Sequence, residues 1–180
     1  MEQEYMMLRE EIVKLEEIIN HTVTFFYAFI AGFLMFVVKQ EDTILVLLSY
    51  IVLLPAYIMV LSKYEGIFRI GAYLKVYHEG EIFNWETRTM KLKRINHRNN
   101  YTFLSSAHFP FLFTNFFIAG IYILKIDYKV ITQPYEVMKV AALIFLFVSV
   151  LVLCKKNRNL SVEFFVDKWE RVKQMEGNEQ

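Results

Sequence analysis

Cysteine is almost absent from this chain of 180 residues: the single thiol, Cys154, has no partner for an intramolecular disulfide, and a metal cluster built on cysteines is excluded. Its place at the end of an apolar run predicts a thiol that is buried or level with lipid. Glycine-rich phosphate loops, the lysine of a nucleotide-binding P-loop and the nucleophile elbow of a hydrolase are all missing. The four histidines, His21, His78, His97 and His108, do not fall at a metal-ligand spacing. Charge is missing too, from Thr22 to Val38 and again from Thr43 to Ser62. With no acid or base inside these runs, ion-coupled transport is disfavoured, and no charged or nucleophilic pair sits at depth for an intramembrane hydrolase. The reading is of a non-enzymatic protein with no cofactor.

What is abundant is apolar and aromatic. With 56% hydrophobic residues, 17 Phe, 11 Tyr and a mean hydropathy of +0.31, the composition is that of an integral membrane protein. The net charge of +1 averages over a very uneven distribution, so position carries more information than the sum. The expected fold is all-α, with four transmembrane helices in two hairpins plus cytosolic helices.

The two charge-free runs are separated only by Lys39, Gln40, Glu41 and Asp42, which suits a tight antiparallel hairpin. Pro55 sits inside the second run, where its missing N–H predicts a kink that serves packing or gating. A third run, Phe109 to Leu124, and a fourth, Val137 to Cys154, form the second hairpin. Lys139 interrupts the fourth near its start and is expected to snorkel to the interface. Between these two runs, Tyr128, Pro134 and Tyr135 mark an interfacial loop.

Outside the apolar runs, two segments are amphipathic. Tyr5, Leu8, Ile12, Leu15 and Ile19 recur at helical spacing among acids, and Val162, Phe165, Trp169 and Val172 do the same up to Gly177. The N-terminal stripe needs a partner: its own protein, headgroups or a short intersubunit coiled coil. The N-terminal residues are acidic, unlike the basic leader of a signal peptide, so no cleavage is expected.

The polar middle, Lys63 to His108, organises the rest. The second span is predicted to run on as a helix through Tyr64, Ile67, Ile70, Gly71, Leu74 and Tyr77 to Gly80. Asn84 is then placed to cap a basic helix beginning at Trp85. If the middle and both ends share one side, that side holds 16 Lys and Arg against 4 on the other, which puts both termini in the cytosol. The chain divides into a cytosolic helix at 1–20, a transmembrane hairpin at 21–62, a cytosolic insert at 63–108, a second hairpin at 109–154 and a cytosolic helix at 155–180.

Candidate sites follow from this layout. Among the softer polar residues of the spans, Thr24 and Asn115 are candidates to line a pore. Asn115 is costly facing lipid, so it faces either another helix or a water-filled path. The basic cluster Arg88, Lys91, Lys93, Arg94 and Arg98 admits three roles. It can be topogenic charge against anionic lipid, a partner for the acidic N-terminal helix, or a site for a nucleotide or oligonucleotide stacked on Trp85 and its aromatic neighbours. His78, Glu79, Glu81 and Glu86 could hold a cation or be solvated charge around Gly80.

The stretch Ile70-Gly-Ala-Tyr-Leu-Lys-Val-Tyr-His-Glu-Gly80, followed by Phe83-Asn-Trp-Glu-Thr-Arg88, resembles a phrase of small prokaryotic four-span membrane proteins. The overall plan is similar to the membrane effectors of nucleotidyltransferase-linked antiphage systems, of the Hailong channel type. That resemblance implies an inner-membrane homo-oligomer, a tetramer by preference. It implies a channel gated by a nucleotide-derived ligand that a partner nucleotidyltransferase makes, and opening would depolarise the infected cell. Four small spans make a thin bundle, so a conducting path is expected on a symmetry axis between subunits. The competing reading, from another class, is a non-conducting anchor that recruits a soluble partner through residues 1–20 and 159–176.

Overall fold

A computed structural model of the chain describes residues 2–40, 42–78, 108–126, 132–157 and 160–178, and every regular element among them is helical. The helices are α1 (Glu2–Lys39), α2 (Ile44–His78), α3 (Phe109–Lys125), α4 (Pro134–Asn157) and α5 (Val162–Asn178). Three of them, α1, α2 and α4, are long and apolar enough to cross a membrane. The fourth expected span, α3, has 17 residues and therefore a length of about 26 Å. The basic helix expected from Trp85, its Asn84 cap, the acidic residues Glu79, Glu81 and Glu86, and Tyr128 lie outside the described residues.

The N-terminal amphipathic stretch and the first apolar run join without a break, and the division between the two compact units falls at Asn20 and His21. No proline or glycine interrupts residues 2–31, so α1 carries the acidic stripe and the apolar run as one helix. As expected, α2 likewise continues from the apolar run into the polar middle, and Pro55 lies within it without ending it.

The chain forms two compact units. The apolar unit comprises residues 21–60 and 106–158. Its buried positions repeat at alternating spacings of four and three: Val46, Tyr50, Leu53, Tyr57 and Val60 on α2, and Phe111, Asn115, Ile118 and Tyr122 on α3. That is the periodicity of helices packed nearly parallel or antiparallel. The outward positions are as apolar as the inward ones: Phe25 is 71% exposed, Met35 73% and Leu124 87%. An uncovered apolar surface of this kind is suited to lipid or to another apolar surface, not to water.

The amphipathic unit comprises residues 1–20, 61–105 and 159–180. Here the two stripes find their partner within the chain. Ile12 and Ile19 are buried on α1, while Val162, Phe165 and Val166 of α5 close on Ala72 of α2, with Phe68, Val76 and Trp169 at the edge. Two details of the α5 stripe differ from expectation. Val166 is buried in place of Val172, because Trp169 lies at the edge of the cluster instead of its centre, and α5 continues through Gly177 to Asn178. Ser161 accepts a hydrogen bond from the Phe164 N–H at 3.3 Å and caps the start of α5.

Polar contacts reinforce this packing. The Trp169 indole donates to the Arg69 carbonyl at 3.1 Å, and Lys173 donates to the Val76 carbonyl at 2.8 Å, placing a cation at the negative end of α2. Tyr73 donates to Glu4 and Tyr77 to Glu176, so two stacked tyrosines of α2 hold α1 and α5. The bond to Glu4, followed by burial, pushes the Tyr73 phenol up to about 12. At Gly66 α2 comes close to α1, since a Cβ there would lie 3.3 Å from Leu15 Cδ1. Gly66→Ala should be nearly neutral, because a helix-propensity gain of about 1 kcal/mol offsets a small displacement of Leu15. Gly66→Leu should cost about 1–3 kcal/mol by overpacking, read as a lowered unfolding temperature of the purified protein.

Candidate functional site

Inside the apolar unit, buried and half-buried polar residues on α2 and α3 and at their first turns match one another. Thr43, Tyr50 and Tyr57 are spaced by seven along α2, and His108, Asn115 and Tyr122 by seven along α3. The helices run antiparallel, so the two series meet in reverse order. Tyr57 OH lies 2.7 Å from His108 Nδ1, Tyr50 OH donates to Asn115 Oδ1 at 2.8 Å, and Tyr122 lies beside Thr43. Successive layers are about 10 Å apart along the helices, seven residues at 1.5 Å each. A column of polar groups thus runs through an otherwise apolar bundle.

Each layer is also tied to α4. In the middle, Asn115 Nδ2 donates to the Phe147 carbonyl at 3.4 Å, so both ends of its amide are used inside the bundle. At the end where α3 begins, His108 lies against the Asn157 carbonyl, and Cys154 approaches Tyr57. At the opposite end, Lys139 is only 7% exposed, with its ammonium drawn to the turn at Asp42. Its ammonium donates to Glu136 at 2.9 Å, Asp42 at 3.2 Å and Thr43 at 3.4 Å, and it lies 4.3 Å from the centre of the Tyr135 ring. Three oxygen acceptors and an aromatic face supply what an interfacial lysine would otherwise seek from water.

The ends of the helices set this geometry. Asp42 accepts the Ile44 N–H at 2.9 Å and so starts α2 while reaching Lys139. The Ile44 N–H, opposed by slight desolvation and aided by Lys139, holds the Asp42 carboxyl below the usual carboxylate range. Lys125 donates to the Gln40 carbonyl and ties the end of α3 to the same turn. Pro110 lies in the first turn of α3, where a missing N–H costs no helical bond, and its carbonyl accepts from Thr114 at 2.9 Å. Among the described residues, two buried side-chain polar atoms have no hydrogen bond: Ser49 Oγ and Tyr122 OH.

Of the candidate pore residues, Asn115 is at the centre of the column, whereas Thr24 lies on the exposed side of α1 and takes no part in it. The structure thus realises one of the two fates open to Asn115, a hydrogen bond between helices. The candidate ligand residues Trp85, Arg88, Lys91, Lys93, Arg94 and Arg98 lie outside the described residues. No three His, Cys, Asp or Glu side chains converge among the described residues. The sequence did carry the signal for the column, two polar series at heptad spacing, but it is visible only when residues far apart in the chain are paired.

No family model matches this chain, and no curated protein or solved structure matches it either.

Two outcomes test the column. Asn115→Leu strands the Tyr50 hydroxyl and should cost about 0.6–2 kcal/mol, whereas Tyr50→Phe combined with Asn115→Leu should recover part of that loss in a double-mutant cycle on unfolding temperatures. Burial holds the His108 imidazole below its ordinary 6.5, so on acidification the unfolded chain takes up its proton before the folded one does. The stability contributed by neutral His108 is complete above about pH 6.5 and is lost as pH falls through the lower folded value. Thermal unfolding of His108→Gln between pH 7 and 5 should depend less on pH than that of the native protein.

Proposed function

We propose that this chain is a multi-pass protein of the bacterial inner membrane that assembles with itself and conducts small cations along its buried polar column. The observation that carries the reading is the alignment of three polar layers through an apolar bundle. The oxygen atoms of tyrosines, Asn115 and Thr43 can replace water around a cation, and the column offers no fixed charge between Lys139 and His108. Here the tyrosine rings fill the interior, so conduction requires them to part.

In this reading four helices span the bilayer as two hairpins, with both termini cytosolic. His108 and Ile126 extend α3 to the two interfaces, and the turn end with Asp42 and Lys139 faces outward. Because Asn115 points into its own protomer, the path is assigned to the bundle rather than to a symmetry axis. Self-assembly, as a tetramer by preference, uses the exposed face of α1. Thr24, Ala28, Ala31 and Gly32 lie on that face, and nothing occupies the space beside Gly32. Small residues at this spacing let a second helix come close.

The amphipathic unit, with the basic residues Arg88, Lys91, Lys93, Arg94 and Arg98 and the stacking ring of Trp85, serves as the gating surface for a nucleotide-derived ligand. A nucleotidyltransferase-linked effector that depolarises the infected cell fits this arrangement. Recruitment of a soluble partner through the stripes of 1–20 and 159–176 is disfavoured, because Ile12, Ile19, Val162 and Phe165 are already consumed within the chain.

The test is cation flux from liposomes holding the purified protein, with and without nucleotides and short oligonucleotides. Ligand-switched flux that falls at least tenfold in Asn115→Leu, with the assembly intact, is the expected result. Flux unchanged by Asn115→Leu, or absent under every condition from correctly inserted protein, would sink the reading.

A further inference from the structure

The buried end of the column, beyond its part in the packing, has the form of an ion site with its ion attached. Lys139 is surrounded by oxygens of Asp42, Glu136 and Thr43 at 2.9–3.4 Å. Two carboxylates face one ammonium, so the site carries an excess of negative charge. A fourth oxygen, Tyr122 OH, belongs to a side chain only 1% exposed. It lies beside Thr43 yet forms no hydrogen bond of normal geometry. A buried hydroxyl left unpaired costs about 1–3 kcal/mol, and its lone pairs remain available to a cation in the same cage. An ammonium group and a potassium ion are close in size and take oxygen ligands at similar distances.

We propose that Asp42, Thr43, Glu136 and Tyr122 form a binding site for a potassium-sized monovalent cation, in which the Lys139 ammonium sits as a tethered occupant. The occupancy rests on the cage alone. Its consequence, that Lys139 closes this mouth of the conducting column until displaced, rests on the channel reading above. Asp42, with 53% of its side chain exposed, is the edge of the cage from which a free cation would enter, while Glu136 is nearly enclosed.

Replacing the tether should hand the site to a free ion. In Lys139→Met, potassium or thallium chloride should raise the unfolding midpoint by about 2–4 °C over choline chloride at equal ionic strength. The native protein should show no such difference, and Glu136→Gln added to Lys139→Met should abolish it. If Lys139→Met does not fold, Asp42→Asn, which loosens the tether without removing it, should give a smaller shift of the same sign. Equal midpoints in potassium and choline for whichever of these variants folds would overturn the site. Flux then separates the two proposals. Lys139→Met should leak potassium without ligand at least tenfold faster than the native protein. A native protein that conducts on ligand while Lys139→Met, with its potassium shift, does not leak would overturn the plug and leave the channel standing. If neither protein conducts while the shift is present, the channel reading falls and the cation site remains.

Discussion

A polar group surrounded by apolar helices has to find its partner there, and the structure of the apolar unit depends on meeting that demand between α2 and α3 at two levels and around Lys139 at a third. Tyr57 with His108 and Tyr50 with Asn115 fix the register of α2 against α3, and Lys139 bonded to Thr43 adds the third level, since a shift of one residue would leave several buried groups unpaired at once. Apolar contacts alone specify far less. Leucine, isoleucine and phenylalanine line these helices inside and out, and many rotations of one helix against another would bury similar area. The polar layers supply the specificity that apolar packing lacks.

Around that pair, the remaining helices are placed by what the layers leave unsatisfied. The second end of the Asn115 amide engages α4 through the Phe147 carbonyl, and Lys139 brings the start of α4 to the turn that opens α2. Phe26 of α1 packs its ring 5.1 Å from Phe111 of α3, so α1 joins by aromatic contact rather than by hydrogen bonding. The amphipathic unit follows a different economy. There the apolar stripes are narrow, the rims are wet, and tyrosine hydroxyls bonded to Glu4 and Glu176 hold α1 and α5 to α2. Such rim bonds are individually modest, and the buried cluster around Ala72 supplies most of the cohesion.

Much of this was legible in the chain. Charge-free runs marked the apolar segments of α1, α2 and α3, a run broken only by Lys139 marked that of α4, and the stripes at Ile12 and Phe165 announced faces that would be covered. Three features were not legible, each for a physical reason. The continuity of α1 across the change from acidic to apolar composition was hidden because composition changes where backbone propensity does not. The oxygen cage around Lys139 depends on Asp42, 97 residues away, being brought to it by the fold. The layers themselves required pairing positions 50 and 115, whose separation along the chain gives no local signal. Asn115 illustrates the limit well. Its polar character in an apolar run demanded a partner, but only the fold names that partner as Tyr50.

The seven-residue spacing of the layers restricts how such a chain can change in length. One residue inserted in α2 between Thr43 and Tyr57 would rotate the helix by about 100° and turn one or more of its polar residues away from α3. An insertion of seven would return them nearly to register, provided that α3 grew by the same amount. The height of the apolar bundle can therefore change only in coordinated steps of about 10 Å, taken by both helices together. The hydrogen bonds that define the bundle also quantise its height.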